Sequence, residues 1–243
     1  MQSFLVRPGA KNGTRIIIDD QKQLHHIRDV LRLKAGEEAV IFDGEGREYL
    51  CVIESVDDKA VFNIRNETRL VNANVNLTVA CAIPKKAKFD DIVDKLTQLG
   101  AERIIPLKTK RVIVKLDKAK EKARMARWKK IALSAVEQSH RASLPVIDGL
   151  TGIKELIASS GEFDLKLIPA LIGDGRPLAA ILEENKPRKI LVLIGPEGDF
   201  TPEELKLALD AGFYPVTLGK QVLRVDTAAV AAASFIKLFY EDR

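Results

Sequence analysis

The sequence holds little that would commit it to redox, metal or membrane chemistry. Only two of its 243 residues are cysteine, Cys51 and Cys81, and they form no CxxC pair. Two buried, reduced thiols are a simpler reading than a disulfide or a metal site. The three histidines show no HExxH or similar ligand spacing, and no Ser-His-Asp order suggests itself. The longest nearly apolar run, Ala228 to Ile236, is too short to span a bilayer. The N-terminus has no apolar core of a signal peptide. These absences point to the cytoplasm, with no membrane and no metal. No internal repeat and no low-complexity segment is present.

What is present suits a folded chain with one polyanion-facing zone. Hydrophobic residues make up 46% and charged residues 30%, enough for a core and a solvated surface. The net charge is +5, but Glu102 to Lys130 holds twelve Lys or Arg against three acidic residues. The remainder is therefore slightly acidic. Such a zone is the footprint of a polyanion, plausibly nucleic acid, or a solvated helix face without a partner.

Residues 1–70 read as β-rich. Phe4–Val6, Thr14–Ile18, Ala39–Phe42, Tyr49–Ser55 and Ala60–Ile64 are short β-branched and aromatic runs, separated by glycines and by Asp43-Gly44-Glu45-Gly46, which predicts a hairpin turn. Close spacing predicts a small barrel. One helix interrupts it, Gln21 to Leu33, with Leu24, Ile27, Val30 and Leu31 on one face. His25 and His26 beside that face read as structural. Glu67 to Asn76 is polar and aperiodic, a linker. From Leu77 onward strands alternate with helices, which predicts a parallel sheet covered on both faces. Phe89–Leu99 is a helix with Gly100 at C′. Ala119–His140 is a long basic helix with Trp128, Ile131, Ala132, Ala135 and Val136 as its buried stripe.

The stretch Ile190–Ala228 is the site candidate. Ile190–Ile194 is a continuous apolar run, as in a strand buried on both faces. It stops at Gly195-Pro196-Glu197-Gly198. Thr201, Pro202 and Glu204 then mark a helix start with a capping box. A second strand, Tyr214–Leu218, stops at Gly219, and Leu223-Arg224-Val225-Asp226-Thr227 leads into an Ala-rich helix. In open parallel sheets ligands bind outside the carboxyl ends of the strands. Neither a Walker A nor a GxGxxG pattern is present. Backbone-rich loops of this kind suit a neutral or zwitterionic adenosine-type ligand held by main-chain groups. Leu171, Ile194, Leu218 and Leu223 are candidate lining, or ordinary core. Glu197 is placed to cap a neighbouring helix or to face a ligand. Arg224 suits a phosphate, and Asp226 suits a helix N-cap or a catalytic role.

These residues resemble the RsmE family of small-subunit (16S) rRNA uridine-N3 methyltransferases, of the SPOUT superfamily. LIGPEG at Leu193–Gly198 and LGxxxLRxxTA at Leu218–Ala228 match its two signature loops. PKxxKF at Pro84–Phe89, KLTxLG at Lys95–Gly100, KRVIVKL at Lys110–Leu116, WKKIAxxAxEQSxR at Trp128–Arg141 and HHIRDVLRLKxG at His25–Gly36 match in order. The resemblance implies an α/β fold: a PUA-like β-barrel over residues 1–70, then a SPOUT domain over 77–243 with a parallel sheet and a trefoil knot. It implies a homodimer acting on 16S rRNA of the small ribosomal subunit, with S-adenosylmethionine as methyl donor and N3 of a uridine as acceptor.

On that basis Ile194, Gly195, Glu197, Gly198, Leu218, Gly219, Leu223 and Leu171 are the donor-site candidates. Arg224, Asp226 and Glu197 are the catalytic candidates: Arg224 stabilises the uracil anion, and Asp226 or Glu197 takes the N3 proton. Arg28, Arg32, Lys88, Lys95, Arg111 and Arg141 are the candidates for RNA phosphates. The chain departs from the family at Asp199, usually glycine, at Val225 and Asp226, where LRTETA appears as LRVDTA, and at Ser3, commonly arginine. Two rivals stand beside this reading: a SPOUT enzyme for another RNA position such as a ribose 2′-OH, and a ribosome-binding factor whose donor pocket has decayed.

Overall fold

The computed structural model describes residues 1–7, 9–69, 75–84, 89–111, 118–139, 141, 143–170 and 175–241; Lys88 and Leu171 lie outside them. The chain divides into two compact units, residues 1–71 with 136–144, and residues 72–135 with 145–243.

The first unit contains β1 (Gln2–Leu5), β2 (Lys11–Asn12), β3 (Arg15–Ile18), β4 (Glu38–Phe42), β5 (Arg47–Val56) and β6 (Ala60–Arg69). They form one six-stranded sheet in the order β1-β4-β5-β6-β3-β2. Among the described residues no pairing closes β1 onto β2. Alternate residues face its core: Ile16 and Ile18, Ala39 and Ile41, Tyr49, Cys51 and Ile53, Ala60 and Phe62. The β4–β5 turn is held as the sequence suggests, because Asp43 Oδ1 accepts from the Glu45 and Arg47 N–H groups at 2.8 and 3.0 Å. β6 runs on through Arg69, so the expected linker loses its first three residues to a strand.

The expected helix Gln21–Leu33 is two shorter elements. α1 (Gln21–His25) is capped by Asp20, whose side chain accepts from Lys22 N and Gln23 N. His26–Val30 continues as a π-helix, closed by Leu31 N–H on His26 O. The wider turn keeps Leu24 and Ile27 buried but rotates Val30 off the face, leaving it 58% exposed. His25 and His26 are both exposed, and His25 Nδ1 lies 2.7 Å from Asp29 Oδ2. Residues 136–144 return to this unit without any signal in the sequence: Val136 packs with Leu5 and Phe42, and Ser143 bridges to Gly44 and Glu45.

The second unit alternates as expected: β7 (Asn76–Ala82), α2 (Phe89–Gln98), β8 (Arg103–Lys108), α3 (Lys118–Ser139), β9 (Val146–Ile147), β10 (Thr151–Gly152), α4 (Ile153–Ala158), β11 (Leu165–Pro169), β12 (Arg176–Pro177), α5 (Leu178–Glu184), β13 (Lys189–Ile194), α6 (Pro202–Asp210), β14 (Tyr214–Thr217) and α7 (Val225–Glu241). Its strands pair in the order β10-β8-β7-β13-β11-β14-β12, with β9 beside β8, and every pairing is parallel. Strand side chains sort by parity into two cores. Leu77, Val79, Cys81, Ile190, Val192 and Ile194 face α2, α5 and α7. Ala80, Leu191 and Leu193 face α4 and α6. The continuous apolar run of β13 exists because both of its faces are covered.

Local signals hold in this unit. Gly100 takes φ 80° after α2 while Ala101 N–H bonds Leu96 O, a Schellman ending. Trp128, Ala132 and Ala135 are buried on α3, and Trp128 Nε1 donates to Asp90 Oδ1 at 3.1 Å. One arrangement is not local. β14, the last strand, sits between β11 and β12 rather than at the sheet edge, and the chain passes from α6 on one face to α7 on the other.

Candidate functional site

The carboxyl ends of β11, β13 and β14 surround one cleft of about 100 Å³. A buried water needs roughly 10–15 Å³ by the same measure, so this is a binding-sized space rather than a packing gap. Ile194, Gly195, Glu197, Leu218, Gly219 and Leu223 all line it, as the sequence suggests. Pro169, Ala170, Thr217, Val225 and Ala228 line it too and were missed. The first two lie where the β11 strand ends. Val225 and Ala228 are i and i+3 on the first turn of α7, a spacing that presents both to one side.

The first wall follows β13. Asp199 N–H bonds Pro196 O at 2.9 Å, closing the turn across Glu197 and Gly198. Gly195 is a glycine because the buried Phe200 ring lies against it: a Cβ there would meet Phe200 Cε2 at 3.0 Å. Asp199 stands at φ 61°, a conformation glycine adopts freely and aspartate better than most side chains. Its Oδ1 accepts from Phe200 N–H at 2.8 Å. The departure from glycine at this position therefore keeps the turn that glycine would make. Thr201 and Glu204 complete the expected capping box of α6.

The second wall follows β14. Gly219 takes φ 127°, and the Thr217 hydroxyl spans the bend, accepting from Gly219 N–H at 3.2 Å and donating to Gly219 O at 2.9 Å. The chain then climbs to Arg224, whose carbonyl accepts the first helical bond of α7 from Ala228 N–H. Arg224 thus occupies the cap position. Asp226 lies inside the first turn, where a carboxylate is favoured by the helix dipole, so the N-cap reading of Asp226 does not hold. The two side chains form a loose pair, Arg224 Nε lying 3.7 Å from Asp226 Oδ1, with Arg224 73% exposed.

Asp226 Oδ1 is buried and accepts no hydrogen bond. Its charge reaches Cys81, whose thiol pKa is pushed up by burial and then by Asp226. Cys81 pairs with Ile194 across the sheet, and Ile194 lines the cleft, which Asp226 itself does not. A buried acceptor without a donor costs about 1–3 kcal/mol.

The RNA-contact candidates are spread over both units. In the first, Arg28 is exposed but donates Nε and Nη2 to Asp29, which holds the Asp29 carboxyl down at about 2. Arg32 is exposed at φ 54°, and Arg141 is half-buried after α3. In the second, Lys95 is exposed on α2. Arg111 is turned inward onto the cleft wall: its Nη1 donates to Gly198 O and, at 3.3 Å, to Phe200 O. Gly198 itself is not part of the lining; it is exposed beneath Arg111. Among the described residues no group of three or more His, Cys, Asp or Glu is arranged to hold a metal ion, and no helix is long and apolar enough to cross a membrane.

Comparison with known proteins places this geometry. Residues 71–237 match the model of an RNA methyltransferase domain, and residues 18–62 that of an RNA methyltransferase PUA domain. The Ribosomal RNA small subunit methyltransferase E of Synechocystis sp. is 31% identical over 221 residues, covering 90% of this chain and 72% of that one. The protein of the same name from Bacillus subtilis is 31% identical over 224 residues, covering 88% and 87%. The crystal structure of Ribosomal RNA small subunit methyltransferase E from Neisseria gonorrhoeae, bound to S-adenosyl methionine, superposes with a TM-score of 0.85 at 30% identity, covering 100% of this chain and 99% of that one. The chain belongs to the ribosomal RNA small subunit methyltransferase E family, carrying its RNA methyltransferase domain behind an RNA methyltransferase PUA domain.

Proposed function

We propose that the protein transfers a methyl group from S-adenosylmethionine to N3 of a uridine in the 16S rRNA of the small ribosomal subunit. The observation that carries this reading is the cleft itself: main-chain groups and apolar side chains at the ends of β13 and β14, closed by Val225 and Ala228 on the helix turn that also carries Asp226. The lining fits the donor's chemistry, since Leu218, Leu223 and Val225 offer apolar surface to a base while loops 195–199 and 217–219 offer main-chain donors and acceptors. When bound, the donor supplies a methyl group already activated by its sulfonium.

The chain's own work is positioning and proton handling. Uracil N3 carries a proton at neutral pH and has to lose it. Asp226 Oδ1 is the acceptor for that proton, because it is a buried oxygen that accepts no hydrogen bond and has only the loose 3.7 Å pairing with Arg224 Nε. Arg224, exposed and only loosely paired, stabilises the charge left on the uracil oxygens. Arg28, Arg32, Lys95, Arg111 and Arg141 hold RNA phosphates, and the uridine leaves its stack to reach the cleft. Asp199 preserves the turn and Val225 keeps the wall apolar, which weighs against a decayed pocket. In this reading the protein works in the cytoplasm, and the placing of β14 between β11 and β12 supports the trefoil knot.

We also propose a homodimer. Phe235 and Leu238 on α7 are 43% and 66% exposed, the kind of apolar face that a second copy covers. Leu238→Glu should convert the dimer to monomers in light scattering; a wild-type protein that is monomeric at micromolar concentration contradicts it. The function is tested by incubating small subunits that lack the modification with the protein and labelled S-adenosylmethionine. Label on a uridine base is the expected product; label on ribose, or none, rejects the proposal.

A further inference from the structure

Glu204 does more than a helix cap requires. It is 2% exposed, and a buried carboxylate is tolerable only when its oxygens are satisfied. Oε2 accepts from Thr201 N–H at 3.0 Å and completes the capping box. Oε1 reaches out of α6 and accepts from Lys110 N–H at 2.8 Å. Lys110 belongs to the turn that follows β8, and β7 separates β8 from β13 in the sheet. From the same turn Arg111 donates to Gly198 O and Phe200 O. The turn after β8 and the segment after β13 are thus tied by hydrogen bonds whose donors all lie on the turn and whose acceptors all lie on the segment. Neither connection is implied by sequence neighbourhood or by strand pairing.

We infer that Glu204 is a positioning residue for the methyl-donor loop. Its bond to Lys110 N–H sets the 109–111 turn, that turn aims Arg111 at the carbonyls of Gly198 and Phe200, and the clamp holds the Gly195–Asp199 wall of the cleft in place before the donor arrives. The inference rests on reading the cleft as the donor site. It also gives Arg111 a task that does not need RNA.

Two full-length variants separate positioning from plain stability. Glu204→Gln keeps one acceptor oxygen and turns an NH2 toward an N–H donor, so one of the two carboxylate bonds is lost. Thr201→Ala removes the hydroxyl that accepts from Glu204 N–H at 3.3 Å but leaves both carboxylate bonds. Calorimetry with S-adenosylmethionine alone should give a Kd raised about tenfold for Glu204→Gln and unchanged for Thr201→Ala, with both melting lower than wild type. At saturating donor, the methyl-transfer rate of Glu204→Gln should stay within about twofold of wild type, since its effect lies in binding. An unchanged Kd for both Glu204→Gln and Arg111→Met, or an equal rise in Glu204→Gln and Thr201→Ala, overturns the inference. If Glu204→Gln does not fold, Arg111→Met carries the test without RNA: a raised Kd supports the clamp and an unchanged one overturns it. A wild-type protein that binds no donor overturns the reading of the cleft as well, which distinguishes the two failures.

Discussion

Two glycines of the same loop should respond differently to alanine, and the difference can be worked out from the structure. At Gly195 a Cβ would lie 3.0 and 3.2 Å from two carbons of the Phe200 ring and 3.3 Å from Asp199 Oδ1. Carbon–carbon contacts are optimal near 3.5–4.0 Å, and Phe200 is a 2%-exposed member of the core under α4 and α6. The ring has no free space to yield. Overpacking of this kind costs about 1–3 kcal/mol, offset by about 0.4–1 kcal/mol because alanine restricts the unfolded chain. The net loss therefore lies between about 0 and 2.6 kcal/mol and centres near about 1.3 kcal/mol, or a Tm lower by roughly 3–5 °C. At Gly198 the nearest atom to a Cβ is Arg111 Cδ at 3.4 Å, on a long side chain that can give. Gly198→Ala should leave Tm within about 1 °C of wild type. Because Gly195 lines the cleft, Gly195→Ala should also weaken S-adenosylmethionine binding in calorimetry. Adding Phe200→Leu to Gly195→Ala should recover part of the loss, a coupling of about 0.5–3 kcal/mol. Gly195→Ala with wild-type Tm and wild-type donor affinity would refute the close-approach argument.

Other substitutions probe the same loops. Asp199→Ala should lose about 2 kcal/mol, because alanine at φ 61° is strained and the bond to Phe200 N–H goes, whereas Asp199→Gly should melt close to wild type in the same scan. Arg224→Ala should reduce methylation at least about a hundredfold with donor Kd and Tm nearly unchanged, since the side chain is exposed and only loosely paired; full turnover would remove Arg224 from the mechanism. The thiols set an alkaline limit. Burial pushes Cys51 up to about 11 and raises Cys81 as well. The unfolded chain therefore releases these protons first, and stability is complete below the ordinary thiol range near 8.5. It falls as pH rises from there toward 11, by at most roughly 1.4 kcal/mol per pH unit for each thiol. Denaturant unfolding of Cys51→Ala across pH 8 to 11 should show a shallower decline than wild type.

Much of the fold was legible because its signals are local. The apolar run of β13, the Thr201–Glu204 capping box and Gly100 each follow from a few neighbouring residues. The cleft was legible for the same reason, since strand ends followed by glycine at 195 and 219 locate it. What the sequence did not disclose depends on distant partners. Val30 lies on the helical period of Leu24 and Ile27, yet a π-turn moves it into solvent. Arg111 sits in a basic run that reads as an RNA surface, but its partners are carbonyls eighty-seven and eighty-nine positions away. Asp226 suited an N-cap as well as a catalytic role, and the cap falls two residues earlier, at Arg224. The insertion of β14 between β11 and β12 has no local signature, because it reflects the order in which the chain passes the sheet edge.

The central claim is that this cleft directs a methyl group to a uracil nitrogen of 16S rRNA. Mass mapping of small-subunit rRNA from cells with and without the protein tests it most directly. The account predicts one base-methylated uridine, present with the wild-type protein, absent without it and not restored by Arg224→Ala. An identical methylation map in both strains, or a difference confined to ribose methylation, would contradict it.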